Sequence, residues 1–351
     1  MELLKKLYEI HSPSGKEKKI KRFIRTYVAE NINGAKIVDN RDGNIYIVKG
    51  ISETYPCVVA HLDQVQNEHS DDFMAVETDD IIFGYSHKNR KQEGLGADDK
   101  NGIWIALKCL ESTDVLKVAF FVGEEIGCVG SRRCDMSFFA DCRFVVQPDR
   151  KGSSDLITNI SGVICSDKFK FDINPLAFGY TSTYGLMTDV LELSERGIGL
   201  SCINLSCGYY SPHTDEEFTV KEDILNCLNF VKYIIENCTE VYPHKYDSGY
   251  SYSGYKYPYS SYWKDYDDYD DYYGTKSKYD VTVCRASDYA TIDEFVYDLI
   301  YDNMGYTPDE LWPYVASDLE TFGVNEDEFM EHAWIAWSDI MEEYYNDGYN
   351  K

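Results

Sequence analysis

The sequence predicts an α/β fold, a three-layer mixed sheet with helices on both faces, followed by a small C-terminal helical unit. Three observations carry this. Over the first 242 residues, short β-rich apolar runs alternate with helical stretches, the order that builds a sheet covered by helices on each side. Near Tyr242-Pro243 the composition changes abruptly to a tract without Leu, Ile, Val or Met. Beyond that tract, helix starts and stops reappear.

The elements follow in order. The opening MELLKKLYEIHSPSGKEKK reads as a short amphipathic helix and a Ser/Gly turn; it lacks the apolar core and small-residue cleavage site of a signal peptide. Helical pattern occupies 16–30. Strand runs come at AKIVDN, GNIYIVKG, CVVAHLD, KVAFFVG, CRFVVQPD and SCINLSCG, short and rich in the β-branched and aromatic residues that favour strands. Helices expected at 100–110, 132–139, 183–196 and 221–237 separate several of these runs and close the unit. There is no internal repeat.

These shifts divide the chain at 1–242, 243–280 and 281–351. From Tyr246 to Asp280 stand 12 of the 31 tyrosines and no aliphatic residue able to build a core. Such a stretch reads as a low-complexity tether, with a sticky aromatic recognition tract as the alternative. After it, Thr291 precedes IDEFVYDLIYDNMG, Thr307-Pro308 opens PDELWPYVASDLETFG, and Asn325 precedes EDEFMEHAWIAWSDIMEEYY. Caps and glycine stops fall where helix ends want them, so three acidic helices are expected. His332 stands alone on the third and is not read as a ligand.

Charge and cysteine exclude several classes. A net charge of −27 opposes nucleic acid as the partner, because phosphate binding runs on Lys and Arg. The excess is uneven, since 281–351 holds 17 acidic against 2 basic residues. No run approaches the ~18 apolar residues of a membrane span, so neither a membrane nor nucleic acid is expected as partner. Eleven cysteines, an odd and scattered set, read as reduced thiols in a soluble cytoplasmic protein rather than as a disulfide framework.

The chemistry stands at the strand ends. CVVA runs into His61-Leu62-Asp63, VAFFV into Gly123-Glu124-Glu125, RFVVQ into Pro148-Asp149, and INLSCGYY into Ser211-Pro212-His213. Between the first two, Gly96-Ala97-Asp98-Asp99-Lys100-Asn101-Gly102 sits at the mouth of a helix. Open α/β sheets bind ligands beyond the carboxyl ends of their strands. Five dispersed segments can thus bring two histidines and several carboxylates together, a donor set suited to two divalent cations such as zinc, cobalt or manganese. Singly, each has a plainer reading: a chance HxD, a solvated Glu pair, an acidic helix start, a turn, a cap. Jointly, their order and strand-end placement agree.

HLDQV, LGADDKNG, GEEIGCVGS, QPD and SPHTDEE, in that order, resemble the co-catalytic zinc exopeptidases over about residues 1–240, with a peptidase T-like and aminopeptidase flavour. The resemblance implies two divalent metal ions, zinc by family habit, with His61 and Asp149 on one, Glu125 and His213 on the other, and Asp98 bridging. It makes Glu124 the general base, gives Asp63 the far nitrogen of His61 to hold, and implies a cis peptide between Asp98 and Asp99. The implied activity is an aminopeptidase on short peptides. An amidohydrolase of N-acyl amino acids and a non-catalytic binding protein are the alternatives, and a retained Glu124 opposes the second.

One departure matters. Only 63 residues separate Asp149 from His213, and 34 separate Asp63 from Asp98. The first interval has room for strands and a helix but not for the lid domain of lidded members, so a lidless catalytic domain is expected. Oligomeric state, side-chain preference and the role of the tail are not written in the sequence.

Overall fold

The computed structural model describes residues 1–38 and 42–247 throughout and parts of 292–336. The tyrosine-rich tract lies almost wholly outside the described residues. Chain contacts divide the molecule into two units, Met1–Gly254 and Tyr255–Lys351.

The first unit opens with α1 (Glu2–Tyr8) and α2 (Lys18–Asn31), then β1 (Ala35–Val38), β2 (Ile45–Lys49) and β3 (Tyr55–His61). Next come β4 (Phe73–Glu77), β5 (Ile81–Ser86), β6 (Lys91–Glu93), α3 (Ala97–Ser112), β7 (Leu116–Phe121), α4 (Val129–Arg133) and β8 (Cys142–Arg150). Then follow β9 (Asp155–Asn159), α5 (Asp167–Asp172), β10 (Thr181–Tyr184), α6 (Asp189–Glu195), β11 (Cys202–Ser206), β12 (Tyr209–Tyr210), β13 (Phe218–Val220) and α7 (Lys221–Asn237).

Eight strands form the main sheet in the order β1-β2-β7-β3-β8-β11-β9-β10. The centre, β7-β3-β8-β11, is parallel, so four carboxyl ends emerge along one edge. Parallel strands are buried on both faces and read as continuous apolar runs, and every residue of β3 and β7 is buried. Their alternation sorts them into two cores. Val58, Ala60, Val118 and Phe120 pack with α1, α2, α3 and α7; Cys57, Val59, Ala119 and Phe121 pack with α6 and the 3₁₀ turn at 136–139. Helix α3 is apolar nearly all round because it lies between the sheet and α1 and α7.

The structure departs from the sequence reading in three places. The helix expected at 183–196 is strand β10, an extended link and α6. Thr181 and Thr183 pair with β9, the Gly185 N–H donates to the Asn159 carbonyl at 2.9 Å, and Thr188 is fully extended before α6. The helix expected at 132–139 is two pieces, split where the Asp135 side chain accepts the Ser137 N–H and caps the 3₁₀ turn. A second sheet, β12-β13-β5-β4 with β6 on β5, went unread. Its strands are short and half-exposed, and β6 is Lys-Gln-Glu, which carries no apolar signal.

The interval between Asp149 and His213 is spent on β9, α5, β10, α6 and β11, three of which join the main sheet. The remaining strand of the interval, β12, joins the second sheet. The chain after α7 continues along the first unit: Pro243 pairs with Leu200 and Asp247 with Val163, and the Tyr246 hydroxyl donates to the Ile160 carbonyl at 3.0 Å.

In the second unit, α8 (Ile292–Asp302) contributes Phe295, Val296, Leu299 and Ile300 to a core shared with Leu311, Val315, Leu319 and Phe329. Asn325 and Glu328 form a reciprocal capping box, with side-chain acceptors at 3.1 and 3.2 Å, opening the helical run 326–333. No helix among the described residues is long and apolar enough to cross a membrane. Ten cysteines are described, and all are free and buried.

A fragment ending at Asp247 is therefore expected to fold with an unchanged melting temperature. One ending at Tyr242 forfeits the pairings of Pro243, Tyr246 and Asp247 and should lose roughly 1–3 kcal/mol, at about 1 kcal/mol per hydrogen bond. Equal denaturant midpoints for the two fragments would contradict this.

Candidate metal centre

The site lies beyond the parallel strand ends. His61 is the last residue of β3 and 1% exposed. Its Nδ1 faces two acceptors, the Asp63 carbonyl at 3.0 Å and Asp63 Oδ1 at 3.4 Å. Two acceptors at Nδ1 keep a proton there, so a bound cation would take the place of the Nε2 proton. That Nε2 lies 3.1 Å from Asp98 Oδ1 and 3.5 Å from Asp149 Oδ1. The second imidazole, His213 Nε2, lies 3.4 Å from Asp98 Oδ2 and 3.2 Å from Glu125 Oε2. Two groups result, His61/Asp98/Asp149 and Asp98/Glu125/His213, sharing Asp98.

The donor set fits two divalent cations. A tetrahedral shell with bonds of ~2.1 Å has edges of about 3.4 Å, and the four donor separations just given bracket that value. Glu125 Oε1 is buried without a hydrogen-bond partner, the state of an oxygen awaiting a ligand. Among the described residues, the ion-pair partners of Asp98, Glu125 and Asp149 are the two histidines alone.

The electrostatics state the same need. Burial pushes the Asp149 carboxyl well above the usual range, and Asp98 adds to it. Burial also pushes Glu124 well up, His61 opposes this, and Asp149, Asp189 and Glu125 reinforce it. At His61, burial works against the imidazolium, yet Asp149, Asp63 and Asp98 together raise it well above its ordinary value. At His213, bonds to Asp98 and Glu125 raise it to about 10. Protonated imidazoles among crowded carboxylates occupy the electrostatic role that bound cations would take.

Several of these side chains are held from behind. Asp149 Oδ2 accepts Gln147 Nε2 at 2.9 Å and Thr188 Oγ1 at 3.3 Å, leaving Oδ1 for His61. Asn204 accepts the Asp149 N–H and donates to its carbonyl, both at 3.1 Å. Asp99, fully buried, accepts the Gly102 N–H at 2.9 Å and the His61 N–H at 3.3 Å, and the Asp98-Asp99 peptide is cis. Asp63 also accepts the N–H groups of Glu124 and Glu125 at 2.9 and 3.2 Å and the Ser14 hydroxyl at 2.7 Å. It thus clamps the paired-glutamate turn as well as the imidazole. Gly123 enters that turn at φ +61° with its N–H on Glu17 Oε1 at 3.2 Å. His213 itself has φ +64°, a left-handed backbone uncommon outside glycine. Glu124 is not in either donor group; its carboxylate accepts the Cys128 thiol at 3.6 Å.

All seven residues singled out in the sequence, His61, Asp63, Asp98, Glu124, Glu125, Asp149 and His213, are gathered by these contacts. Sequence reasoning missed Ser14, Glu17, Gln147, Thr188 and Asn204. Ser14 and Glu17 lie in SPSGKE, read only as a turn, and Gln147 in QPD was visible but had no assigned task.

No protein-family model and no curated protein sequence matches this chain. Solved structures do resemble it. Aminopeptidase PepT from Bacillus cereus aligns at 13% identity over 68% of this chain and 98% of its own, with a TM-score of 0.52. An aminopeptidase from the archaeon Desulfurococcus kamchatkensis aligns at 16% over 67% and 94%, TM-score 0.53. A tripeptidase from Staphylococcus aureus aligns at 13% over 67% and 96%, TM-score 0.53. The chain has the fold of these peptidases.

Two outcomes are expected. Asp98→Ala should abolish stoichiometric binding of two cations per chain, whereas Asp149→Ala should remove only one; elemental analysis after dialysis reads both, and two retained cations in Asp98→Ala would exclude the shared-ligand geometry. In Gly102→Ala the new Cβ would lie 2.4–2.6 Å from the Asp99 carboxylate and the Pro148 carbonyl. Overpacking of this kind costs about 1–3 kcal/mol, and cation affinity should fall with it, since Asp98 and Asp149 are the next residues along; calorimetry reads both.

Proposed function

We propose that the chain is a metal-dependent exopeptidase, an aminopeptidase acting on short peptides. The observation that carries this is the division of Asp98: one carboxylate oxygen faces His61 and the other His213, while a terminal carboxylate completes each group. The peptidase fold and the order of the five motifs support the same reading. In it, His61, Asp98 and Asp149 hold one divalent cation and Asp98, Glu125 and His213 the other, with zinc as the metal and cobalt or manganese as substitutes. Bound cations would lower the pKa of water and stabilise negative charge developing on the scissile carbonyl oxygen.

The remaining work falls to the chain. Glu124 lies close enough to His61, Asp149 and Glu125 to feel their charges without being a ligand. It accepts the proton of the attacking water and passes it to the leaving amine. Asp63 holds both the His61 tautomer and the turn that aims Glu124, so proton acceptor and ligand are registered by one side chain. We infer a cytoplasmic location as well, supported by the ten buried free thiols.

Glu124→Gln should keep its cations and lose ~10²–10⁴-fold in turnover, the usual scale for removing a general base. Near-normal turnover in the fully metallated variant would exclude Glu124 as base. Reconstituted wild type tested on aminoacyl, tripeptide and N-acyl substrates should release an N-terminal residue; cleavage of N-acyl amides alone would make it an amidohydrolase, and inactivity on all three a binding protein.

A further inference from the structure

The acidic residues that follow His213 are unused by this chemistry. Of Asp215-Glu216-Glu217, which close the SPHTDEE motif, Glu217 is fully buried. Its Oε2 accepts the Gly96 N–H at 2.6 Å and the Gln66 amide at 3.3 Å, and its Oε1 accepts the Asp98 N–H at 3.2 Å. Asp215 adds a weaker bond at 3.4 Å to the Gly94 N–H. A buried carboxylate is costly unless its oxygens are met by donors, and here two of the three donors, the Gly96 and Asp98 N–H groups, come from the segment that carries Asp98. Lys100, 1% exposed, donates its ammonium proton to Gln64 Oε1; burial lowers its pKa to about 7, and the Glu217 charge opposes this.

The geometry assigns Glu217 as a positioning residue that ties the loop bearing His213 to the loop bearing Asp98. Glu217 lies four residues after His213, and β13 begins at the next residue and is pinned to β5. Its carboxylate grips the Asp98 backbone from behind while the Asp98 side chain faces both imidazoles. His213 is half-exposed and on a left-handed backbone, so this tie sets its distance from the shared carboxylate. The outer group, Asp98/Glu125/His213, depends on it most. The inference rests on the two-cation reading of the site and not on the identity of the substrate.

The test is calorimetric titration of the full-length apo protein with Zn²⁺, alongside the apo melting temperature. Glu217→Gln keeps the shape and one acceptor oxygen but loses the charge and the second acceptor. One of the two binding steps should weaken about 10–100-fold, the usual cost of removing a residue that orients a ligand, with the other step less affected. In the double variant Glu217→Gln/Lys100→Met, which leaves no buried unpaired ammonium, the melting temperature should recover and the weakened step should not. A folded Glu217→Gln with both steps intact overturns the inference, as does recovery of both properties in the double variant, which would mark a merely structural role. Should the single variant fail to fold, the double variant decides alone by the same criterion. Wild type that binds two Zn²⁺ but cleaves no peptide refutes the proposed activity and leaves this inference standing; wild type that binds only one overturns it.

Discussion

Carboxylates repel, and a cleft that gathers Asp98, Glu124, Glu125 and Asp149 can keep them charged only if cations stand among them. The rest of the first unit answers to that constraint. Donors are directed at the oxygens that face away from the cleft, and the oxygens facing inward are left open. Gln147 and Thr188 occupy Asp149 Oδ2 so that Oδ1 faces His61. Glu125 Oε2 faces His213 while Oε1 has no partner. The pattern fits the metal-ligand set proposed above better than a set of salt bridges, whose carboxylates would be satisfied by Lys or Arg.

The sheet makes this convergence possible. Parallel β3, β7 and β8 release His61, Glu124-Glu125 and Asp149 along one edge, and the mouth of α3 delivers Asp98 beside them. Sequence-distant residues meet because neighbouring parallel strands stand only ~4.8 Å apart. Helix α3 must then approach β8 closely, which is why Gly102 sits against the Pro148 carbonyl without a side chain.

Much of this was legible. His61, Asp98, Glu124, Glu125, Asp149 and His213 stand in segments that follow a strand run or open a helix, so position pointed to the segments, and the resemblance to the zinc exopeptidases picked these residues out of them. Helix 221–237 was read to the residue because its apolar spacing is regular and Lys221-Glu222-Asp223 opens it. What escaped was whatever lacked an apolar signal: β6, the half-exposed β5, and β10, where two threonines and a partner strand overrode a helical pattern. The supporting residues escaped for a different reason. Ser14, Asn204 and Glu217 are ordinary polar types, and their tasks exist only once distant segments are brought together. Asp63 was assigned only the far nitrogen of His61, whereas its two oxygens also accept the N–H groups of Glu124 and Glu125 and the Ser14 hydroxyl.

The two imidazoles differ in depth. His61 is 1% exposed, whereas His213 is 51% exposed and stands at the surface end of the shared carboxylate. Exchange at the two proposed cation positions would therefore be kinetically unequal. The proposed cation position at His61 is lined by side chains 1–13% exposed, while the one at His213 has a half-exposed imidazole on its rim. Were both proposed positions filled, a chelator or a competing metal would meet the one at His213 first, and loading there would follow ambient metal supply more than loading at His61.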